Sequence, residues 1–227
     1  MDVIAPADIP RLSIVGSGDT FPIRRIFCVG RNYEAHAAEM GSEVVREAPF
    51  YFTKSHDAVC LGDAPYAPGT ENYHHEFEFV LAIGSSGASL AESDALAHVW
   101  GYTSGLDMTR RDLQAAAKKK SLPWDTAKDV AGSCVLAPLT PASSWTLGAQ
   151  RIHLKVNGET RQDARLTDMI WSVPEIISHL STLYTLQPGD IIMTGTPAGV
   201  GAVAPGDRLD GSIDGLAPLS TTIGPYP

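Results

Sequence analysis

Apolar and polar side chains alternate along residues 73–81, which read Tyr-His-His-Glu-Phe-Glu-Phe-Val-Leu. The alternation from Phe77 to Leu81 has the period of a β-strand. Successive side chains of a strand point to opposite faces, so Glu76 and Glu78 are expected to share one face. Their Cα atoms would lie about 6.5–7 Å apart. The other face is apolar and is expected to join a core.

The same pattern analysis predicts many short strands and few helices in the rest of the chain. Strands are predicted at 26–29, 50–52, 102–108, 152–156, 191–194, 209–213 and 219–223. Helices are predicted at 33–41, 90–99, 109–120 and from 172 onward, and loops at 60–70 and 132–148. Because strands outnumber helices without regular βα alternation, we expect a β-rich α+β fold. Residues 1–25 are expected to form an N-terminal arm and 26–227 a single catalytic domain.

Two sequence motifs predict where helices begin. Thr109 with Asp112, and Ser172 with Glu175, have the spacing of a capping box. The helix that begins at Ser172 is expected to bury the apolar side chains Ile176, Ile177, Leu180 and Leu183. Between these helices, Asn157-Gly158 predicts a tight hairpin turn.

Composition narrows the class of protein. A chain of 227 residues with 44% hydrophobic residues can build one sizeable core. The formal net charge of −9 argues against a nucleic-acid partner. The sequence contains no apolar run long enough to span a membrane and no pattern typical of a secretory signal. Three scattered cysteines suggest reduced thiols, so we expect a cytoplasmic protein.

A third carboxylate can join the two glutamates. Asp107 ends an apolar strand and precedes a predicted helix. Two carboxylates about 6 Å apart repel by about 3 kcal/mol at an effective dielectric near 20, and a divalent cation between them reverses that sign. Glu76, Glu78 and Asp107 together could therefore form an open Mg²⁺ or Mn²⁺ site. Taken alone, the two glutamates are better explained as a solvated strand face and Asp107 as the cap of a turn, so the metal site depends on all three acids together.

A base and a row of polar groups complete the candidate chemistry. His36 and Glu39 are three residues apart on a predicted helix and could form an oriented general base, or an exposed helix contact. Arg111, Gln114 and Lys118 fall on one stripe of the helix that follows Asp107. Arginine at a helix N-terminus suggests an anionic ligand. For the run of lysines at 118–120 we expect a solvated face instead.

Two further segments leave their roles open. Lys128, expected in a loop, could polarise an oxyanion or pair with Asp125 or Asp129. The Gly-rich segment 193–201 lacks the ending of a P-loop and the spacing of a dinucleotide fingerprint, which argues against nucleotide binding. It could present a threonine to a ligand or serve only as a turn.

Together these motifs resemble one family, since their order and spacing are highly specific although each alone is weak. They are Cys28-Val-Gly-Arg-Asn-Tyr33 with His36 and Glu39, His75-Glu-Phe-Glu78, Gly105-Leu-Asp-Met-Thr109 with Arg111-Asp112, Pro123-Trp124 with Ala127-Lys128, and Gly189-Asp-Ile-Ile-Met-Thr-Gly-Thr-Pro197. The chain resembles the fumarylacetoacetate hydrolase family, and within it the acylpyruvate hydrolases, from about Ile26 to Ile223.

The resemblance implies a mixed β-roll, a homodimer, and Mg²⁺ (or Mn²⁺) bound by Glu76, Glu78 and Asp107. It implies metal-dependent hydrolysis of a C–C bond in an acylpyruvate, a 2,4-dioxo acid, with fumarylpyruvate as the expected substrate. The remaining implied site residues are a His36/Glu39 dyad that activates water and substrate contacts from Arg31, Arg111, Gln114, Lys128 and Thr194. Of these, Lys128 and Gln114 would face the oxyanion, and Arg111 would hold the far carboxylate.

Two departures and two alternatives accompany the resemblance. Relatives often have Lys-Pro where this chain has Lys54-Ser55, and Asp129 follows Lys128 where relatives tend to have a small or aromatic residue. Asp129 could therefore draw Lys128 away from the site. The same metal site could instead decarboxylate or tautomerise oxaloacetate. The chain could also be a catalytically silent scaffold that binds a small dicarboxylate.

Overall fold

The computed structural model of the protein describes residues 3–5, 7–39, 41, 46 and 48–225. The strands are β1 (Arg11–Ser13), β2 (Thr20–Pro22), β3 (Arg25–Gly30), β4 (Phe50–Lys54), β5 (Val59–Cys60), β6 (Ala64–Pro65), β7 (Tyr73–His75), β8 (Phe77–Ile83), β9 (Val99–Asp107), β10 (Thr109–Arg110), β11 (Cys134–Leu136), β12 (Thr140–Pro141), β13 (Arg151–Val156), β14 (Glu159–Arg165), β15 (Asp190–Met193), β16 (Gly201–Ala202), β17 (Arg208–Ile213) and β18 (Leu219–Gly224). The α-helices are α1 (Glu34–Glu39), α2 (Glu92–Ala95), α3 (Arg111–Lys119), α4 (Asp125–Lys128) and α5 (Val173–Leu183). Met40, within the predicted first helix, lies outside the described residues.

Two sheets dominate the molecule. The larger has the order β4-β3-β15-β8-β9-β11-β5, with β12 also paired to β9. It is mixed, because β3 and β15 run parallel while β8 and β9 run antiparallel. The second sheet has the order β14-β13-β17-β18-β6. The predicted β-rich α+β roll with short helices is confirmed.

Strand β8 runs through the centre of the larger sheet, and both of its faces are buried. Phe77, Phe79 and Leu81 enter the main core, which also contains the inner faces of the second sheet and of α5. Val80, on the opposite face, enters a smaller core beside the hairpin β1–β2. The predicted alternation is therefore correct, and Glu78 lies on a face that is buried rather than solvated.

Two predictions that depend only on neighbouring residues are confirmed, the hairpin turn and the capping box at Ser172. Asn157 and Gly158 join β13 to β14 with φ values of 52° and 82°, as a two-residue hairpin of this type requires. Ser172 caps α5, and its partner Glu175 completes the capping box. Leu183 is an exception to the predicted buried face, because at the end of α5 it is 56% exposed.

The capping box predicted at Thr109 is wrong. Thr109 lies in the short strand β10, and α3 begins only at Arg111, after an N-cap residue that makes no side-chain cap. The carboxylate of Asp112 instead accepts hydrogen bonds from the hydroxyl of Thr70, over 2.6 Å, and from the backbone of Glu71. A partner from a distant segment therefore replaces the local one.

The predicted loops at 60–70 and 132–148 are wrong in part. Ala64–Pro65 pairs with β18, and Cys134–Leu136 pairs with both β9 and β5. These strands are two or three residues long, so their pairing depends on neighbours supplied by other segments. No helix among the described ranges is long and apolar enough to cross a membrane.

Candidate active site

Three acidic side chains converge where β8 and β9 meet. Glu78 lies in β8, Glu76 immediately precedes it, and Asp107 ends β9. The backbone N–H of Asp107 donates to the carbonyl of Glu76 over 2.8 Å, which fixes the two segments together. One carboxylate oxygen from each residue lies within 4.8 Å of the others, and all three side chains are buried. The structure thus brings together the three acids that the sequence proposed as metal ligands.

Burial and mutual repulsion act on these carboxylates. Burial, together with the charges of Asp107 and Glu76, raises the pKa of Glu78 well above its ordinary value. Burial also opposes ionisation of Glu76, but Lys128 and Arg111 outweigh it and hold the pKa of Glu76 below its ordinary value. Additional positive charge among the three groups would favour the ionised form of each.

Two buried lysines flank the acids. Lys128 ends the short helix α4, not a loop as predicted, and its Nζ donates to Glu76 over 2.7 Å and to Asp107 over 2.5 Å. Burial disfavours its charge, but the two carboxylates outweigh burial and raise the pKa of Lys128. Nζ of Lys54 lies 2.9 Å from the other carboxylate oxygen of Asp107. Both lysines therefore supply charge directly to the acid cluster.

Asp129 does not draw Lys128 away. Its Oδ1 accepts hydrogen bonds from the backbone N–H and the hydroxyl of Ser55, each over 2.9 Å. The two departures from the family pattern thus contact each other. Because Asp129 is engaged with Ser55, Lys128 remains directed at Glu76 and Asp107.

His36 and Glu39 lie on one face of α1, as predicted. Nδ1 of His36 is 3.4 Å from Oε2 of Glu39, and the imidazole is buried at the wall of the cavity that contains the three acids. Glu39 also accepts the backbone N–H of Gly199 over 3.1 Å. Burial lowers the pKa of His36, although Glu76 and Glu39 act in the opposite direction. The ring is therefore neutral near pH 7 and able to accept a proton.

Arg111 turns from the start of α3 toward the acids. Its Nη2 donates to Glu76, its Nη1 donates to Oε1 of Gln114 over 2.5 Å, and its Nε donates to Nδ1 of His74 over 3.4 Å. Nε2 of His74 in turn lies 2.8 Å from Oδ1 of Asn72. Arg111 lines the cavity, but each of its three nitrogens already donates to a neighbouring side chain, which leaves fewer N–H groups for the predicted role of holding a far carboxylate. Gln114 lines the cavity with its amide nitrogen available to donate.

The threonines after β15 occupy different positions. Thr194 is fully buried, and its hydroxyl donates to the carbonyl of Phe79 over 2.9 Å. Thr196 lines the cavity, while its hydroxyl donates to the carbonyl of Phe77 and accepts from Gln162. The structure therefore places Thr196 at the cavity wall, where the resemblance implied Thr194.

The outer part of the cavity is cationic and aromatic. Arg31, as predicted, lines it, and so do Lys118, Phe52 and Trp124. The prediction of a solvated face for Lys118 is wrong, because this side chain is half-buried over the ring of Trp124. Lys119, the next residue, is exposed as predicted.

The donor set fits a hard divalent cation. It consists of carboxylate oxygens alone, the ligands that Mg²⁺ and Mn²⁺ prefer. Oδ1 of Asp107 is buried, and although the ammonium of Lys54 lies 2.9 Å away, no described residue donates a well-aligned hydrogen bond to this oxygen. The ammonium of Lys128 bridges two of the three carboxylates, which shows that the cluster attracts positive charge.

Known proteins share this fold and these motifs. The sequence model described as "Fumarylacetoacetate (FAA) hydrolase C-terminal" matches residues 25–224. The rolled mixed sheet and the three buried acids beside a histidine agree with this match. The chain belongs to the fumarylacetoacetate hydrolase family.

Individual relatives match along most of their length. The fumarylpyruvate hydrolase of a Ralstonia species is 48% identical over 181 residues, covering 79% of this chain and 94% of the relative. The human mitochondrial oxaloacetate tautomerase FAHD1 is 42% identical over 200 residues, covering 87% and 90%. The crystal structure of fumarylpyruvate hydrolase from Pseudomonas aeruginosa, in complex with Mn²⁺ and pyruvate, has a TM-score of 0.97 at 45% identity and covers both chains fully.

Sequence reasoning missed Lys54, and it expected a solvated face for Lys118 although it placed that residue on one stripe with Arg111 and Gln114. Lys54 was noted only as part of a departure, although a lysine that closes the apolar strand begun by Phe50 is a signal for a buried charge. Lys118 gave no such signal. Its burial comes from Trp124, which lies in a separate segment that only folding brings alongside α3.

Proposed function

We propose that this protein hydrolyses the C–C bond of an acylpyruvate, with fumarylpyruvate as the expected substrate, to give pyruvate and a carboxylic acid. The observation that carries the proposal is a single cavity lined by three buried carboxylates, a buried lysine and a neutral histidine. The fumarylpyruvate hydrolases among the relatives support it. The silent scaffold is disfavoured because the base and the cation ligands are all present.

Glu76, Glu78 and Asp107 would hold a divalent cation, Mg²⁺ or Mn²⁺. The Mn²⁺ in the P. aeruginosa structure supports this class of ion. When bound, the cation would act as a Lewis acid toward the 2-oxo group and its neighbouring carboxylate. The donor atoms alone do not distinguish the two metals, since both accept the same oxygens.

His36 would activate water. Its neutral imidazole takes a proton from the water, which attacks the 4-oxo carbon of the substrate. Glu39 orients the ring and stabilises the imidazolium that results. The bond between C3 and C4 then breaks, and its electron pair goes to C3. The proton held by His36 can pass to C3. This neutralises the carbanion, releases pyruvate and returns the imidazole to its neutral form.

Lys128 and Gln114 would stabilise the oxyanion that forms at C4. Both are buried at the cavity wall and both present N–H donors. Because Oε1 of Gln114 accepts from Arg111, the orientation of its amide is fixed. Donors that are already oriented in a dry site need no reorganisation during the reaction.

Tautomerisation of oxaloacetate is a second candidate function. The observation that favours it is the set of relatives named oxaloacetate tautomerase, including the human one at 42% identity. That reaction moves a proton between carbon and oxygen and needs no attacking water. Decarboxylation of oxaloacetate would likewise need no attacking water.

The setting in which the enzyme works is also part of the proposal. We propose a homodimer, by analogy with the family, and a cytoplasmic location. Cys28, Cys60 and Cys134 are free thiols, which suits a reducing compartment. Light scattering after size-exclusion chromatography would measure the subunit number.

An assay panel tests the function. The purified protein, stripped with EDTA and reloaded with Mg²⁺ or Mn²⁺, is offered fumarylpyruvate, acetylpyruvate and enol-oxaloacetate. We expect metal-dependent release of pyruvate from the first two, measured with lactate dehydrogenase. Conversion of enol-oxaloacetate without pyruvate release from either acylpyruvate would establish the tautomerase instead.

A further inference from the structure

The cavity continues outward past the three acids into a larger open groove. Arg31, Phe52, Lys118 and Trp124 line both the inner cavity and this groove. They therefore form the passage between the acid cluster and solvent. A substrate held at its pyruvate end by the inner site would extend its acyl group through this passage.

Two cations meet over one aromatic ring in the passage. Nζ of Lys118 lies 5.3 Å from the ring centroid of Trp124, and Cζ of Arg31 lies 6.0 Å from the same centroid. Trp124 is held edge-on by Phe50, with ring centroids 4.9 Å apart, and packs against Phe52. The ring is thus a fixed platform that both charges contact in the passage.

Neither cation has an acidic partner among the residues that the structure describes. The ion pairs of that part of the chain include Arg111 and Lys128 but neither Arg31 nor Lys118. Burial and the nearby charges of Arg31 and Arg111 lower the pKa of Lys118. An anion between them would relieve this repulsion.

The backbone conformation of Arg31 supports a role for this residue in ligand binding. Its φ of 59° lies in the left-handed region, which a non-glycine residue rarely adopts. Such conformations concentrate at ligand-binding positions, where the surrounding structure maintains them. Here the conformation accompanies a side chain directed to the passage.

We infer that Arg31 and Lys118 bind the second carboxylate of a dicarboxylic acylpyruvate, while Trp124 and Phe52 contact the acyl chain between the two ends. This inference rests on the proposed function and specifies its substrate class. It replaces Arg111, which is engaged with Glu76 and Gln114, as the group that holds the far carboxylate. The enzyme would then discriminate fumarylpyruvate from acetylpyruvate, which lacks that carboxylate, chiefly through this pair.

The test compares the two substrates on the Mg²⁺-loaded full chain. Lys118→Gln and Arg31→Gln should each raise KM for fumarylpyruvate about tenfold or more, the usual effect of losing one charge-assisted hydrogen bond. Acetylpyruvate kinetics should stay within about twofold. Lys118→Arg should recover most of the loss, and Lys119→Gln, at the exposed neighbour, should behave as the parent.

A binding measurement makes the result independent of turnover. Calorimetric titration of fumarate should give weaker binding to Lys118→Gln than to the parent or to Lys119→Gln. If both substrates lose activity by the same factor, or fumarate binds Lys118→Gln as it binds the parent, the carboxylate assignment is wrong. If the parent cleaves neither acylpyruvate, the proposed function fails, and the fumarate titration alone decides whether the pair binds a carboxylate.

Discussion

The carboxylate of Glu39 accepts the backbone N–H of Gly199 over 3.1 Å while lying 3.4 Å from the imidazole of His36. Glu39 thus ties α1 to the loop after β15 and keeps the ring in one orientation. Glu39→Gln keeps the size but removes the charge that raises the pKa of His36. We expect kcat to fall about 10–100-fold, as for other orienting carboxylates. The acid limb of the pH–kcat profile should move to lower pH; an unmoved limb would contradict the pairing.

Removal of the base should separate chemistry from cation binding. His36→Ala should slow acylpyruvate hydrolysis by about 10²–10⁴-fold, the usual contribution of a general base. Because His36 is not one of the proposed cation ligands, the affinity of the variant for Mg²⁺, measured by calorimetric titration, should match that of the parent. His153→Ala, in β13 and outside the lining of the cavity, is the matched control and should retain full activity. Parent-like turnover by His36→Ala would falsify the assignment of the base.

Loss of one ligand should weaken cation binding. Glu76→Gln removes a charge from the acid cluster and leaves Lys128 and Arg111 with a neutral partner. We expect Mg²⁺ affinity to fall about tenfold or more. Glu71→Gln, at an exposed position nearby, should titrate as the parent. Identical titration curves for Glu76→Gln and the parent would remove Glu76 from the site.

Lys54 should contribute to stability, since it is buried beside Asp107 and also donates to Ser133 over 2.8 Å. Lys54→Met leaves a buried carboxylate short of one cation, which costs about 3–5 kcal/mol when a buried pair is broken. Urea denaturation in EDTA would measure the loss in the free energy of unfolding. Lys155→Met, on an exposed strand position, should change it little. An unaltered midpoint for Lys54→Met would show that its ion pair contributes no net stability.

His74 should make the fold sensitive to acid. Burial first, and then the charge of Arg111, lower its pKa to about 4 from an unfolded value near 6.5. As pH falls from about 6.5 toward 4, the unfolded chain takes up a proton at this position that the native chain does not, so native stability falls. Above about pH 6.5 the effect vanishes. Urea midpoints at several pH values should therefore fall less steeply for His74→Gln; equal slopes would exclude this contribution.

The strand that carries Glu78 could be predicted because a two-residue period is local information. The same holds for the hairpin at Asn157-Gly158, where the turn type depends on the two residues themselves. The dyad of His36 and Glu39 is also local, since a helix places residues three apart on one face. In each case all the interacting residues lie within one short segment of the chain.

Other features depend on partners outside the same strand or helix. Thr109 does not cap α3: Asp112 accepts from Thr70 instead, and the hydroxyl of Thr109 donates to the carbonyl of Asp107. Lys118 is half-buried because Trp124 lies beneath it. Two-residue strands such as Ala64–Pro65 have no pattern of their own and exist only through their neighbours. Pattern analysis of one segment at a time cannot detect such contacts.

The bond between the backbone of Asp107 and that of Glu76 means that the acid cluster exists only after β8 and β9 have paired. An unfolded chain would have no such cluster to offer an ion. Cation uptake and folding are then one linked equilibrium, in which each tenfold rise in free cation above its dissociation constant adds about 1.4 kcal/mol to the native state. The concentration of free metal would thereby determine the free energy of unfolding of the enzyme as well as its catalytic rate.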